Sequence, residues 1–175
     1  MNRLKQIMIG LLMAFLPIKA SAQLLAVSTD LVGLLTQTYN AGVELTVSNR
    51  STLGVSIMGN YHPWVLKSMR AIAVQPEWRY YFSGRPMMRH FIGVCGLLGN
   101  CDMEWKDEHY IGDVAGAGVT FGYVMPLSER LNIDFHAGLG LMFYHRKDKE
   151  SVDDIISDNA ILPMKFGISL SYILK

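Results

Sequence analysis

The stretch from Leu131 to Phe143 reads LNIDFHAGLGLMF, and apolar residues alternate in it with small or polar ones almost throughout. Successive side chains of a β-strand point to opposite sides of the sheet, so this period of two predicts a strand with one apolar face. The segment Met164 to Leu174, MKFGISLSYIL, repeats the pattern, with Met164, Phe166 and Ile168 on its apolar face. An amphipathic helix, whose period is 3.6, does not produce this spacing.

The rest of the chain contains six further segments of the same kind. They are Leu24–Leu35, Tyr39–Ser48, Thr52–Tyr61, Ile72–Phe82, Arg89–Met103 and Val114–Leu127, of which Arg89–Met103 is apolar on both faces. Several of these strands reach the roughly 9–11 residues that cross a bilayer, whereas strands of soluble proteins peak near 5–6 residues. The sequence therefore predicts an all-β fold, an eight-stranded antiparallel up-and-down transmembrane β-barrel.

The N-terminus carries the features of a signal peptide. Arg3 and Lys5 precede an apolar run from Ile7 to Ile18, and Ala20 and Ala22 supply the small residues of a cleavage site before Gln23. The run is too short for a transmembrane helix, and a buried N-terminal core helix is the alternative. We therefore expect a signal peptide at 1–22 and one barrel domain at 23–175.

Charge and cysteine content narrow the function classes. The predicted leader contains three of the 16 basic residues, so the remaining chain has a net charge of −2 and gives no indication of nucleic-acid binding. Cys95 and Cys101 are six residues apart, about 20 Å along one strand, which favours two unpaired thiols on one strand face. A disulfide across a tight turn at residues 97–100 is the alternative.

The predicted connections alternate in length. Short connections are expected at Ser48–Ser51, Ser83–Met88 and Pro126–Arg130, and longer ones at His62–Arg70, Glu104–Gly112 and Arg146–Ile161, with Thr36–Thr38 as a short exception among the latter. Short periplasmic turns and long outer loops are typical of outer-membrane barrels. We therefore expect an outer-membrane protein with both termini in the periplasm.

The alternation defines two faces but not which of them points outward. The polar face is mostly Gly, Ser, Thr and Asn, and we expect its charged residues to form a structural network in the lumen: Asp30, Glu44, Glu77, Arg79, Asp134, His136 and Lys165. Aromatic residues near the strand ends of the apolar face are typical of a membrane interface: Tyr39, Tyr61, Phe82, Phe91, Phe143 and Tyr172. A soluble, periplasmic lipocalin-like carrier, with the faces reversed, stays open as an alternative.

Several motifs, spread in order over the chain, resemble a family of small outer-membrane β-barrels classed as a domain of unknown function. They include Asn40-Ala41-Gly42-Val43-Glu44, Gly59-Asn60-Tyr61-His62-Pro63-Trp64, Val74-Gln75-Pro76-Glu77-Trp78-Arg79-Tyr80 and Arg130-Leu131-Asn132-Ile133-Asp134. A Gly-Pro-Thr-Lys-like sequence usually opens the family's last strand, where this chain has Leu162-Pro163-Met164-Lys165. The resemblance implies the barrel and its location, no reaction, and an association with fimbrial loci.

The end of the chain resembles the signal that the barrel-insertion machinery reads. Lys165, Gly167, Leu170 and Tyr172 have its spacing, so we expect this machinery and outer-membrane lipid as partners. A surface-fibre or envelope protein is a further candidate partner, and Trp64, Trp105, His109 and Tyr110 are candidate contact residues on outer loops.

Catalytic chemistry has weak support in the sequence. His136 stands near Asp134, but no nucleophile accompanies them at a recognisable spacing, and a hydrogen-bonded lumen histidine is the simpler interpretation. No metal-ligand spacing and no cofactor motif is present. We therefore expect a non-enzymatic barrel that is not a pore and has a structural or surface-interaction role, in envelope integrity or surface-fibre biogenesis. An outer-membrane lipid hydrolase is the alternative.

Overall fold

A computed structural model describes residues 24–61, 69–105, 108–146 and 160–174. The chain forms a closed barrel in which each strand pairs with its sequence neighbours, and the last strand pairs with the first. All of these pairings are antiparallel, from the β1–β2 pair to the closing β1–β8 pair. The predicted all-β, eight-stranded, up-and-down barrel is therefore confirmed.

The strands differ widely in length. In chain order the elements are β1 (Leu25–Asp30), α1 (Leu31–Leu35), β2 (Thr38–Ser48), β3 (Ser51–Tyr61), β4 (Met69–Tyr81), β5 (Arg89–Trp105), β6 (Glu108–Pro126), β7 (Leu131–Arg146) and β8 (Ala160–Ile173). At one end of the barrel β2–β3, β4–β5 and β6–β7 are joined by the predicted short turns, and this end is called the turn end below. At the other end, residues 62–68, 106–107 and 147–159 lie outside the described residues. Among the described residues, no helix is long and apolar enough to cross a membrane.

The structure resolves which face points outward. Val119 and Phe121 on β6 are 56% and 58% exposed, whereas Thr120 between them is fully buried. The same alternation on β4 exposes Trp78 and buries Glu77 and Arg79. The apolar face therefore covers the outside of the barrel, and the polar face lines the lumen.

The first strand is shorter than predicted. The expected strand Leu24–Leu35 ends at Asp30, and Leu31–Leu35 forms a short helix instead. The sequence Leu31-Val32-Gly33-Leu34-Leu35 does not alternate, and Asp30 Oδ1 accepts a hydrogen bond from Gly33 N at 2.7 Å, which caps the helix.

The prediction of a loop at Glu104–Gly112 is also wrong. β5 and β6 continue as a paired hairpin through Cys101↔Gly112 and Glu104↔His109 to Trp105↔Glu108. Charged residues are compatible with strands that extend beyond the apolar part of a barrel, so their presence here did not mark a loop.

Two residues predicted on the apolar face point inward. Met164 is 7% exposed, because the β7–β8 register shifts between Gly138↔Lys165 and Leu139↔Pro163 and leaves it in a bulge. The proline has no N–H to donate to the ladder, which suits an interruption there. Phe91 is 2% exposed. Its direction was predicted wrongly because β5 is apolar on both faces, so the alternation does not distinguish the inner face from the outer one.

Candidate lumen site

Seven charged or titratable residues predicted to share the lumen come from five strands. Asp30 lies at the end of β1, Glu44 on β2, Glu77 and Arg79 on β4, Asp134 and His136 on β7, and Lys165 on β8. Each occupies an inward position, so closure of the barrel brings side chains together that are up to 135 residues apart in sequence, from Asp30 to Lys165. The structure joins all seven in one set of ion pairs.

Arg79 is the centre of this set. Its Nη1 lies 2.7 Å from Asp134 Oδ2 and 3.3 Å from Glu44 Oε2, and its Nη2 lies 3.0 Å from Glu77 Oε2. The guanidinium also lies 4.3 Å from the centre of the Phe91 ring. A planar guanidinium with five N–H donors suits this arrangement, because it can contact several carboxylates at once.

The carboxylates have further partners around Arg79. Glu77 accepts a hydrogen bond from Lys165 Nζ at 2.6 Å and another from Thr120 Oγ1 at 2.6 Å. Glu44 accepts hydrogen bonds from Thr52 Oγ1 at 2.5 Å and Tyr81 Oη at 2.7 Å. Sequence reasoning did not assign these three hydroxyls to the network, although all three residues stand on the polar face of their strands, and that shared position was the available signal.

His136 lies between two carboxylates. Its Nε2 is 3.2 Å from Asp30 Oδ2, and its Nδ1 is 3.7 Å from Asp134 Oδ1. The side chain is buried, and neither Nδ1 nor Asp134 Oδ1 has a hydrogen-bond partner among the described residues. Within the same residues, no hydroxyl or thiol donates to this histidine, as a nucleophile paired with a general base would.

The turn end of the lumen is filled by side chains. Tyr81, Phe91 and Val124 form a buried cluster, in which the two rings are 5.6 Å apart. The Phe91 ring on β5 packs over Gly122 of the neighbouring strand β6, where a Cβ atom would collide with the ring. Arg79 and its carboxylates lie directly above this cluster, so no continuous channel passes through this half.

A cavity of about 240 Å³ occupies the other half of the lumen. It is bordered by α1 and by residues of β1, β2, β3, β4, β7 and β8. Its charged lining comes from Asp30, Glu44, Arg79, Asp134, His136 and Lys165. Asp30 reaches into this space over Gly167, where a Cβ atom would overlap its carboxylate. The lining therefore combines these charged groups with apolar side chains such as Met58 and Met164.

The remaining predicted residues do not gather at this site. In the insertion-signal pattern, Lys165 and Gly167 lie on the lumen side of β8, whereas Leu170 and Tyr172 lie on its outer side. Trp105 is the last residue of β5, and His109 and Tyr110 are the second and third residues of β6. Trp64 and the predicted cleavage residues Ala20 and Ala22 lie outside the described residues.

Both cysteines are free and lie on β5, as the preferred interpretation expects. Cys95 is buried against Leu97 and Met164. Within the part of the chain that the structure describes, no three His, Cys, Asp or Glu side chains are arranged to hold a metal ion.

Comparison with known proteins identifies one family. The model of a family described as "Protein of unknown function (DUF3575)" matches residues 7–174, which is most of the chain. No curated protein and no solved structure is significantly similar to this sequence.

Proposed function

Because the chain belongs to the DUF3575 family, whose description assigns no activity, we propose its function from the barrel itself: it is an outer-membrane β-barrel with a structural or surface-interaction role. The observation that carries this proposal is the apolar outer surface around a charged interior. Such a surface in water would favour aggregation, whereas in a bilayer it meets lipid chains.

The height of the apolar belt fits a membrane. On the outer side of β4, every second residue from Ile72 to Phe82 is apolar or aromatic, and Arg70 precedes this run. The ten steps between these eleven residues, at about 3.4 Å each and tilted by roughly 40°, span about 26 Å along the barrel axis. This height is close to the apolar band of about 25 Å that is typical of transmembrane barrels.

Exposed aromatic residues stand near strand ends on this outer surface. Tyr39 is 68% exposed and Phe82 is 61% exposed, at opposite ends of the barrel. Phe143 and Tyr172 are also exposed on the outside, near opposite ends. Amphipathic rings at both edges of the belt are what the two interfaces of a bilayer favour.

The interior supports a structural role rather than transport. Arg79 and its three carboxylates lie above the Tyr81–Phe91 cluster, and together they occupy the lumen near the turn end. His136 faces two carboxylates instead of a nucleophile, which disfavours the lipid-hydrolase alternative. We propose a rigid, closed platform that holds the segments opposite the turn end at the cell surface, in envelope integrity or surface-fibre biogenesis.

Cell fractionation combined with gel mobility tests the location. We expect the protein in the outer-membrane fraction, with an unboiled sample migrating faster than a boiled one, because a closed barrel resists the detergent. A soluble periplasmic protein without a mobility shift would contradict the proposal.

The hydrolase alternative has its own test. We expect the purified, heat-modifiable protein to release no fatty acid from lipopolysaccharide or phospholipid. Release that disappears in His136→Ala while the mobility shift is retained would replace the structural proposal with a catalytic one.

A further inference from the structure

A side-chain contact joins β7 to β1 across the strand that lies between them. His136 on β7 is paired with Gly167 on β8, and Asp30 at the end of β1 is paired with Ser169 of the same strand. The Asp30 carboxylate lies over Gly167, where a Cβ atom would overlap it, and its Oδ2 is 3.2 Å from His136 Nε2. The contact therefore connects three neighbouring strands where the barrel closes, and we call it the seam bridge.

The other oxygen of Asp30 connects the seam bridge to α1. Asp30 Oδ1 accepts the hydrogen bond from Gly33 N that caps the helix. Asn40 on β2 holds the same residue by its backbone, since its side chain bonds to both the N–H and the C=O of Asp30. Among the described residues, α1 has no backbone hydrogen bond to β2 or β8. Its packing against these two strands and the contacts of Asp30 therefore hold it in place.

Both ring nitrogens of His136 face carboxylate oxygens. Besides the contact with Asp30, Nδ1 lies 3.7 Å from Asp134 Oδ1. An ionised carboxylate only accepts hydrogen bonds, so each of these two contacts needs a proton on the ring. The imidazolium has two such protons, whereas the neutral ring has one and turns a lone pair toward one of the oxygens. The seam bridge and the contact with Asp134 therefore exist together only in the imidazolium form.

The neutral ring keeps its remaining proton on the side of Asp134. Asp134 Oδ1 is buried without a hydrogen-bond partner among the described residues, and leaving it without a donor is costly. Arg79 Nη1 holds the other oxygen of Asp134 at 2.7 Å, so this carboxylate is fixed. The Asp30 side chain is 18% exposed and lines the cavity, where water can replace a lost donor. Loss of one proton therefore breaks the contact with Asp30.

Other charges do not replace the imidazolium at Asp30. Among the described residues, His136 is the only cation within ion-pair distance of Asp30. Lys165 Nζ lies 2.6 Å from Glu77 Oε2 instead, and on β6 the residue opposite His136 is the uncharged Gly122. The charged groups around His136 line the cavity from β1, β2, β4, β7 and β8 in turn: Asp30, Glu44, Arg79, Asp134 and Lys165.

We propose that the seam bridge is a pH-sensitive latch: protonated His136 holds the end of β1 and α1 in place, and loss of its proton releases them. Val32, Gly33 and Thr36 of α1 line the lumen cavity, so this release changes the cavity wall away from the turn end. Because the closed latch binds a proton, it is closed at low pH and opens as the pH rises. The latch requires only the barrel geometry and is independent of the proposed membrane location.

A nitroxide label on α1 tests the latch in the full barrel in detergent. Leu35 is 82% exposed and does not line the cavity, so Leu35→Cys in a Cys101→Ser background places the label outside the lumen, while Cys95 is buried. Its spectrum is compared at about pH 5.5 and about pH 9.5, on either side of the ordinary histidine pKa of about 6.5. We expect the mobile fraction of the label to rise at least threefold at the higher pH. An unchanged spectrum would overturn the proposal.

A matched pair of variants tests whether His136 is the titrating group. His136→Gln keeps a side chain that can form hydrogen bonds but takes up no proton, so we expect it to abolish the pH response. His90→Gln makes the same change at an exposed histidine near the turn end, and we expect it to retain the full response. A response that survives in His136→Gln, or one that disappears in His90→Gln, would contradict the latch.

The partner carboxylate provides a second variant, which decides the matter if His136→Gln does not fold. Asp30→Asn keeps an oxygen that can cap α1 and removes the charge that faces the imidazolium, so we expect less than a third of the pH response. The full response in Asp30→Asn would refute the latch. Gel mobility of every variant verifies that the barrel is closed. A protein that shows the expected responses but does not insert into vesicles refutes only the proposed location.

Discussion

The two halves of the lumen differ in how many strands enclose them and in how full they are. At the turn end all eight strands pair, and the interior is filled by Tyr81, Phe91 and the Arg79 ion pairs. In the other half β1 is replaced by α1, and a cavity lies beside it. Stability is therefore concentrated in the half with the complete sheet, and access to the lumen in the half where one strand is absent.

The largest expected effect comes from removing the centre of the filled half. Arg79→Met leaves the carboxylates of Glu44, Glu77 and Asp134 without their shared cation, and breaking a buried ion pair from one side typically costs about 3–5 kcal/mol. We expect a loss of this size in the free energy of unfolding, measured by urea titration in detergent. Arg130→Met, at an exposed turn, is the control; equal stability of the two variants would contradict a central role for the network.

A single hydroxyl in the filled half should have the next largest effect. Thr120→Val keeps the shape of the fully buried side chain but removes the 2.6 Å hydrogen bond to Glu77 Oε1. Hydrogen bonds to charged groups contribute about 1.5–3 kcal/mol, so we expect a destabilisation of about 2 kcal/mol in the same titration. Thr38→Val, in the half with the cavity, is the matched substitution and should cost clearly less.

The boundary between the halves is tested at Gly167. In Gly167→Ala the new methyl group overlaps the Asp30 carboxylate, which must move away from His136. Overpacking typically costs about 1–3 kcal/mol, and we expect the low end, because the displaced group is the end of a side chain. Gly59→Ala is the control, since its Cβ meets only the backbone oxygen of Ala71 at 3.6 Å. If both variants unfold at the same urea concentration, Asp30 is not confined as described.

The smallest effect is expected at the rim of the cavity. Thr36→Ala removes an exposed hydroxyl that bonds the carbonyls of Val32 and Gly33 at the end of α1. Exposed substitutions usually change stability by less than about 0.5 kcal/mol, and we expect a value in that range. A loss comparable with that of Thr120→Val would show that α1 stabilises the barrel as much as the filled half does.

The alternation of side chains predicted the barrel and the membership of the ion network, because a period of two places every second residue of a strand on the same side. The positions of Glu77, Arg79, Asp134 and Lys165 within their alternating strands predicted that all four side chains point into the lumen of the closed barrel. They did not determine which carboxylate contacts Arg79, because those contacts depend on the register between distant strands.

The wrong predictions for Met164, Phe91 and the end of β1 have local structural causes that the alternation of side chains does not predict. Met164 changed sides because a bulge beside Pro163 shifted the count by one residue. Phe91 stood in a strand that is apolar on both faces, so its direction depended on the room above Gly122. α1 depended on a capping hydrogen bond from Gly33 to Asp30, and the cavity is a consequence of that short helix. The cavity was therefore beyond a prediction based on periodicity.

The short β1 also has a consequence for the order of folding. Seven of the eight strand pairings join sequence neighbours, which low contact order allows to form early, whereas β1–β8 must bring residues 25 and 174 together. That last pairing extends over only five residue pairs, from Ala26↔Ile173 to Asp30↔Ser169. β1 thus has the shortest pairings of the barrel on both of its sides, with four residue pairs to β2 and five to β8. Until the β1–β8 pairing forms, the sheet presents two free edges, and unpaired strand edges of this kind can pair with other chains unless they are shielded.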